Sequence, residues 1–263
     1  MKSLSALFLE KQLLALEDLR RHQAQGQGED NYYRTKLRIL GHSVPEQRRF
    51  YKEFLRNEGE ALKPLDPRAR FKFWNQIWTS SDCFEVLNIP LIYYSDPKHH
   101  SESLLVGKSL LGWATRLDNW AHSDSLSSIY VRLLEAQGPS IDQILKKWNS
   151  HSNPWLRRQS LVSLYYYSAQ RQKVFPVSEA LRRLKPLLGD PHYYVQKGVG
   201  WTLREAFNVA PDKVLGFIQA NLHSIRPTAY TAATEKLNAR QKEKLRRQRK
   251  EHRKLSRPSK MKP

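Results

Sequence analysis

The chain has 263 residues and a formal net charge of +20, from 45 Lys and Arg against 25 Asp and Glu. Seven Trp, twelve Tyr and nine Phe supply the apolar bulk of a substantial core, which excludes a wholly disordered chain. The single cysteine, Cys83, excludes an internal disulfide and a cysteine-rich zinc site, and it fits a reducing compartment.

At the start of the chain Leu4, Phe8, Leu13, Leu16 and Leu19 fall close to helical spacing and predict an amphipathic first helix. Glu10 and Lys11 interrupt its apolar run, and no small-residue cleavage site comes after it, so a secretory signal is not expected. A polar, glycine-containing loop, QAQGQGEDN, comes next. No later stretch approaches the roughly 20 apolar residues of a membrane span. The expectation is a soluble, cytoplasmic protein with no membrane partner.

Beyond Tyr32 the pattern is helical. Segments several turns long carry apolar residues three and four apart, separated by breaks such as GHSVPEQ, LDPRAR, SDPKHH, EAQGPS, LLGDPHYY and NVAPDK. Asn153-Pro154 and Asp190-Pro191 read as helix starts, with a capping side chain ahead of a proline. No run alternates as a strand would. NPWLRRQSLVSLYYY and DPHYYVQKGVGWTLRE share a cap, a proline and an apolar stretch, with Arg158 and Lys197 lying 39 residues apart. SDCFEVLNIPLIYY, Ser81 to Tyr94, is similar to the first of these. A period of this size predicts an all-α, HEAT-like helical-repeat solenoid, whose recurring cations would line a concave basic groove.

The charge is unevenly spread. Asn238 to Pro263 holds 12 basic and 2 acidic residues, a net +10, and the remaining 33 basic and 23 acidic residues carry as much again. A polyanion is the expected partner, nucleic acid first and an anionic membrane second. The basic stretch itself predicts a helix that frays near Pro258 and contacts phosphates without sequence preference.

Several chemistries are disfavoured. His99, His100, His122 and His151 are scattered without metal-ligand spacing, so no metal is expected. There is no Walker loop, GxGxxG or GxSxG, and SDSLSS has only His122, expected to be exposed, as a base partner. The stretch LDNWAHSD offers two readings. Trp120 and Asp124, one turn apart, would share a helix face. Alternatively Asp118 or Ser123 caps a new helix, and the pair serves packing. Arg157 and Arg158 open an apolar helix, where cations oppose the helix dipole; a phosphate partner would account for them. Gly198 and Gly200 cost about 1 kcal/mol each against Ala inside a helix, so a neighbouring helix or a ligand should approach closely there. Trp201, in an apolar run, reads by itself as core.

Taken in order, these segments resemble the AlkD-type DNA alkylation repair family from about Tyr32 to Leu237. LRILGHSVPEQRRFYKE, with Gly41, Pro45 and Arg48, is similar to the family's lead into a DNA-facing helix, which here also carries Lys52. FWNQIWTSSDCFEV resembles the next helix pair of the family. DNWAHSD matches a Trp-x-x-x-Asp element at Trp120 and Asp124; NPWLRRQSL matches a Trp-x-x-Arg helix start at Arg158; VQKGVGWTLRE matches the segment bearing a second active-site tryptophan, Trp201. Ala121 departs from the family, in which acidic residues are common after the first tryptophan.

The resemblance implies a monomeric, monofunctional glycosylase that removes N3- and N7-alkylated purines from double-stranded DNA in the cytoplasm, at the nucleoid, without metal or cofactor. Asp124, Trp120 and Trp201 would be catalytic, and Arg48, Lys52, Arg157, Arg158 and Lys197 would bind DNA. It also implies three regions: residues 1–31 as helix and loop, 32–237 as the glycosylase domain, and 238–263 as a basic tail. Divergent branches of the superfamily lack the catalytic set. The alternative is therefore a non-catalytic helical-repeat protein that binds structured DNA or RNA; a protein–protein adaptor is a third reading.

Overall fold

The computed structural model describes residues 32–255. The expected first helix, its polar loop and the stretch beyond Leu255 lie outside the described residues. Among these there are thirteen α-helices and four short 3-10 turns, with no strand and one isolated bridge between Arg38 and Cys83. The all-α expectation is met. The helices fall into two compact units divided between Leu133 and Leu134.

The first unit contains α1 (Val44–Leu62), α2 (Pro67–Ser80), α3 (Phe84–Ser95), α4 (His100–Leu105) and α5 (Gly107–Leu111). It also holds the greater part of α6 (Trp120–Gln137), within which the boundary falls. Local chemistry sets the starts. Ser43 and Glu46 form a reciprocal capping box ahead of α1, and Asp66 accepts from the N–H groups of Arg68 and Ala69 ahead of α2. The turn into α1 is held from a distance. The buried carboxylate of Glu85, on α3, accepts the backbone N–H groups of Leu40 (2.9 Å), Gly41 (2.6 Å) and His42 (3.2 Å). Gly41 adopts φ 81°, a left-handed conformation that favours glycine. The Gly41 and Pro45 of the sequence motif therefore shape the approach to α1.

The second unit contains α7 (Pro139–Trp148), α8 (Pro154–Val162), α9 (Val177–Leu184), α10 (Tyr193–Val209), α11 (Pro211–Ala220), α12 (Pro227–Ala233) and α13 (Ala239–Leu255). The first residues of α8 and α10 lie 39 residues apart with α9 between them, which is the offset of the sequence similarity.

Helix α10 is central and packs against α8, α9, α11 and α12. Its glycines explain how. A Cβ built on Gly198 would lie 3.3 Å from Arg158 Cγ and from Val162 Cγ2, on α8. One built on Gly200 would lie 2.5 Å from the Ala229 carbonyl oxygen and 3.0 Å from Ala232 Cβ, on α12. The close approach expected at both glycines is made by neighbouring helices.

Asn153 caps α8 as expected, accepting from Trp155 N–H at 2.9 Å. Asp190-Pro191 does not begin a helix: α10 starts at Tyr193, with His192 as its cap residue. The Asp190 carboxylate bonds His192 N–H and the guanidinium of Arg157, which keeps Asp190 and Pro191 in the connection.

The basic stretch after Leu237 is seated on this unit. Asn238 and Gln241 exchange side-chain and backbone hydrogen bonds of 2.8 and 3.0 Å at the start of α13, Leu245 is fully buried, and Arg249 lies over the Tyr230 ring.

Candidate functional site

The LDNWAHSD stretch opens α6. Its cap is Asn119, whose Oδ1 accepts from His122 N–H at 2.9 Å and whose carbonyl accepts from Ser123 N–H. This corrects the expectation that Asp118 or Ser123 caps the helix. Asp118 turns to an earlier segment of the chain. Thr35 Oγ1 donates to its carboxylate at 2.7 and 2.8 Å, Lys36 N–H at 2.8 Å and Asn119 Nδ2 at 2.9 Å. Those bonds fasten the irregular stretch that carries Tyr32 and Tyr33. Tyr32 meets the Trp120 ring edge-on at 5.3 Å, and Tyr33 lies tilted at 5.7 Å from it. The Trp120 indole N–H donates to the Tyr32 carbonyl at 3.4 Å.

His122 is buried, with 1% of its surface exposed, which corrects the expectation of a solvent-facing histidine. Its ring stacks on Phe84 at 4.4 Å with an interplanar angle of 14°. Nε2 donates to the Phe84 carbonyl at 3.1 Å, and Nδ1 accepts from Asn119 Nδ2 at 3.0 Å. A carbonyl can only accept, so these partners select the neutral Nε2–H tautomer. Burial pushes the pKa down to about 4 and keeps the ring neutral. Ser123 and Ser127 are buried as well, Ser125 and Ser128 are half-buried, and the buried His122 gives SDSLSS no exposed base.

The aromatic contacts are continuous. Trp120 leads through Tyr33 to Phe84 (4.2 Å), His122 (4.4 Å), Trp78 (5.7 Å) and Trp113 (5.0 Å). Offset and edge-on aromatic pairs of this kind each contribute about 0.5–1.5 kcal/mol beyond area burial. Trp120 is thus braced from behind while remaining half-buried, and Asp124, one turn later on α6, is half-buried too. On α1, Arg48 and Lys52 are both exposed and lie one turn apart.

The remaining predicted site residues belong to the second unit. The fork of Arg157 turns inward. Nε and Nη2 reach the Asp190 carboxylate at 2.7 and 3.2 Å, and Nη1 donates to the carbonyls of His151 and Ser152 at 2.8 Å each. The Asp190 carboxylate is thus an internal partner for the cation at the start of α8. Arg158 is 5% exposed, donates to the Tyr194 carbonyl at 3.0 Å and lies along the face that Gly198 leaves open. Lys197 is exposed on α10. Trp201 is half-buried, 5.7 Å from the Tyr166 ring and 5.9 Å from the Arg204 guanidinium.

Beside it Tyr167 takes φ 50° and is half exposed, while Ser168 is clamped by Glu205 through its N–H (3.0 Å) and hydroxyl (2.9 Å). Neither Tyr166 and Tyr167 nor Tyr32 and Tyr33 stand out as site residues in the sequence. They lie outside the named helices, so no periodicity marks them; adjacent tyrosine pairs are the available signal.

Among the described residues no group of three or more His, Cys, Asp or Glu is arranged to hold a metal ion. No helix among them is long and apolar enough to cross a membrane.

The sequence model of the DNA alkylation repair enzyme family matches residues 9–237. The chain belongs to the DNA alkylation repair enzyme family. Solved structures agree with this at the level of fold. A predicted DNA alkylation repair enzyme from Enterococcus faecalis superposes with a TM-score of 0.61 at 12% identity, covering 86% of this chain and 94% of that one. AlkD2 from Streptococcus mutans superposes with a TM-score of 0.52 at 18% identity, covering 88% of this chain and all of that one. Comparison with curated proteins gave no match. The all-helical architecture is therefore that of the AlkD-like helical-repeat proteins.

Proposed function

We propose that this member of the DNA alkylation repair enzyme family is a DNA glycosylase that hydrolyses the N-glycosidic bond of N3- and N7-alkylated purines in duplex DNA. The observation that carries the reading is the pair Trp120 and Asp124, half-buried one turn apart on α6, with the indole braced by Tyr32 and Tyr33.

The substrate supplies much of the chemistry. An alkylated purine carries a formal positive charge, so it leaves without being protonated, and the reaction needs neither a metal nor a cofactor. As the C1′–N bond breaks, its electron pair neutralises the purine and the sugar becomes oxocarbenium-like. The Asp124 carboxylate stabilises that cation and orients the water whose oxygen bonds to C1′, taking up the proton released. The indole face of Trp120 holds the cationic nucleoside, contributing about 0.5–2 kcal/mol. The base is not drawn into a deep pocket, in contrast to enzymes that flip it fully.

Arg48, Lys52 and Lys197 contact phosphates in this reading. Arg157 and Arg158 are the further DNA-binding residues of this reading, with Arg157 also tying the start of α8 to Asp190. The protein works as a monomer in the cytoplasm, at the nucleoid.

The test is incubation with duplex DNA containing N7-methylguanine, scoring free base and abasic sites. Release above the spontaneous rate, lost on Asp124→Asn, supports the assignment. Tight binding without release would identify a non-catalytic nucleic-acid-binding protein, and wild-type rates from Asp124→Asn would remove the carboxylate's role.

A further inference from the structure

The family match stops at Leu237, one residue before the Asn238 that caps α13. Helix α13 has a seat of its own. Leu245 is fully buried at its centre, and Arg249 lies 4.4 Å over the Tyr230 ring and donates to the Ile225 carbonyl at 2.9 Å. Lys242 donates to the Glu235 carbonyl at 2.9 Å. These three positions fall on one face at helical spacing. The opposite face presents Arg240, Lys244, Arg246, Arg247 and Lys250, all exposed. Glu243 pairs with Arg247 at 3.0 Å, and Glu251 is the other carboxylate of the helix, so the face stays strongly cationic.

We propose that α13 is a docked phosphate-binding rail for duplex DNA, an appendage to the family fold that adds backbone contacts beyond the repeat body. The proposal rests on the DNA-directed reading of the protein. A free basic tail would have to order itself when it meets a phosphate backbone. A helix already capped and seated holds its cations in a fixed array with that ordering cost already met. DNA is favoured over a lipid surface because the seated face takes the apolar residue Leu245, whereas a membrane-surface helix turns its apolar face to the lipid.

The experiment measures binding of the full chain to undamaged labelled duplex DNA across a salt series, scored apart from base release. Failure of the glycosylase reading therefore leaves this outcome separate. Replacing Arg240, Lys244, Arg246, Arg247 and Lys250 with Gln is expected to make the slope of log affinity against log salt shallower by about 2–4, at about 0.9 per phosphate contact. An unchanged slope would overturn the proposal. Leu245→Asn keeps every cation but unseats the helix, and it is expected to lose part of the slope; full retention would overturn the docked geometry. Vesicles of anionic phospholipid form a second arm. If the Gln variant loses vesicle binding while its DNA binding stays intact, α13 is a membrane element and the proposal is overturned.

Discussion

Arg157 at the start of α8 grips Asp190, 33 residues later in the connection to α10, with Nε–Oδ2 at 2.7 Å and Nη2–Oδ1 at 3.2 Å. The two side chains are 16% and 5% exposed, so the pair is largely withdrawn from water. It joins two consecutive repeats at their helix starts. Arg157→Ala leaves the carboxylate with the His192 N–H and no cation, which is expected to cost about 3 kcal/mol. Asp190→Asn keeps the shape but not the charge and should cost about 1–2 kcal/mol. Urea unfolding at constant m-value reads both, and a change below about 0.5 kcal/mol in Arg157→Ala would refute the bracing role.

The two glycines of α10 separate by how their neighbours can yield. A methyl on Gly200 meets the Ala229 backbone oxygen at 2.5 Å, which can move only if α12 moves. Gly200→Ala is expected to destabilise the fold by about 2–3 kcal/mol. At Gly198 the contacts are side-chain carbons at 3.3 Å, and the gain in helix propensity offsets part of the crowding. Gly198→Ala should therefore stay within about 1 kcal/mol of the parent. Equal unfolding midpoints for the two variants would contradict this packing.

His122 makes stability depend on pH. Its folded pKa, about 4, lies below the ordinary 6.5, so on acidification the unfolded chain takes up the proton first. The neutral ring's contribution is fully present above about pH 6.5 and is lost as pH falls toward 4. The loss is on the order of 3 kcal/mol for a group this deeply buried. His122→Leu should be less stable at neutral pH and show a flatter decline between pH 6.5 and 5. Parallel profiles for parent and variant would show that the histidine does not titrate in this window.

Asp118 fastens the segment whose Tyr32 and Tyr33 lie against Trp120. Asp118→Ala removes the acceptor of Thr35 and of Lys36 N–H and releases the Tyr32–Tyr33 stretch from the indole. Under the glycosylase reading, single-turnover base release should fall about 10-fold, or about 1.4 kcal/mol in barrier. Acrylamide quenching of tryptophan fluorescence should rise, and stability should fall by about 1–3 kcal/mol as the Thr35 donor loses its acceptor. A quenching profile identical to the parent's would show that Asp118 does not hold the aromatic cover in place.

Much of the fold is legible in the residues themselves. The helical spacing, the Asn153 cap, the close approach at Gly198 and Gly200 and the family resemblance all depend on short stretches whose chemistry is local. The burial of His122 is not legible, because spacing reports which residues share a face, not how many faces are covered. Around α6 the neighbours enclose more than one side, and Phe84 and Asn119 provide partners that make a buried imidazole tolerable. Asp118 and Asp190 escape a sequence reading for a related reason. Each stands where a capping carboxylate is common, but each is claimed by a donor 33 or more residues away, Arg157 for Asp190 and Thr35 for Asp118.

The sequence alone determined the helical class and the repeat offset, because periodicity, capping and spacing act within a few turns of one chain segment. Only the tertiary structure decided which charged groups face inward. Arg157, Arg158 and Asp118 are engaged by internal partners, while Arg48, Lys52, Lys197 and the outer face of α13 remain at the surface. A charge's direction depends on the partner that folding brings to it, and the desolvation of a buried ion is offset only by that partner.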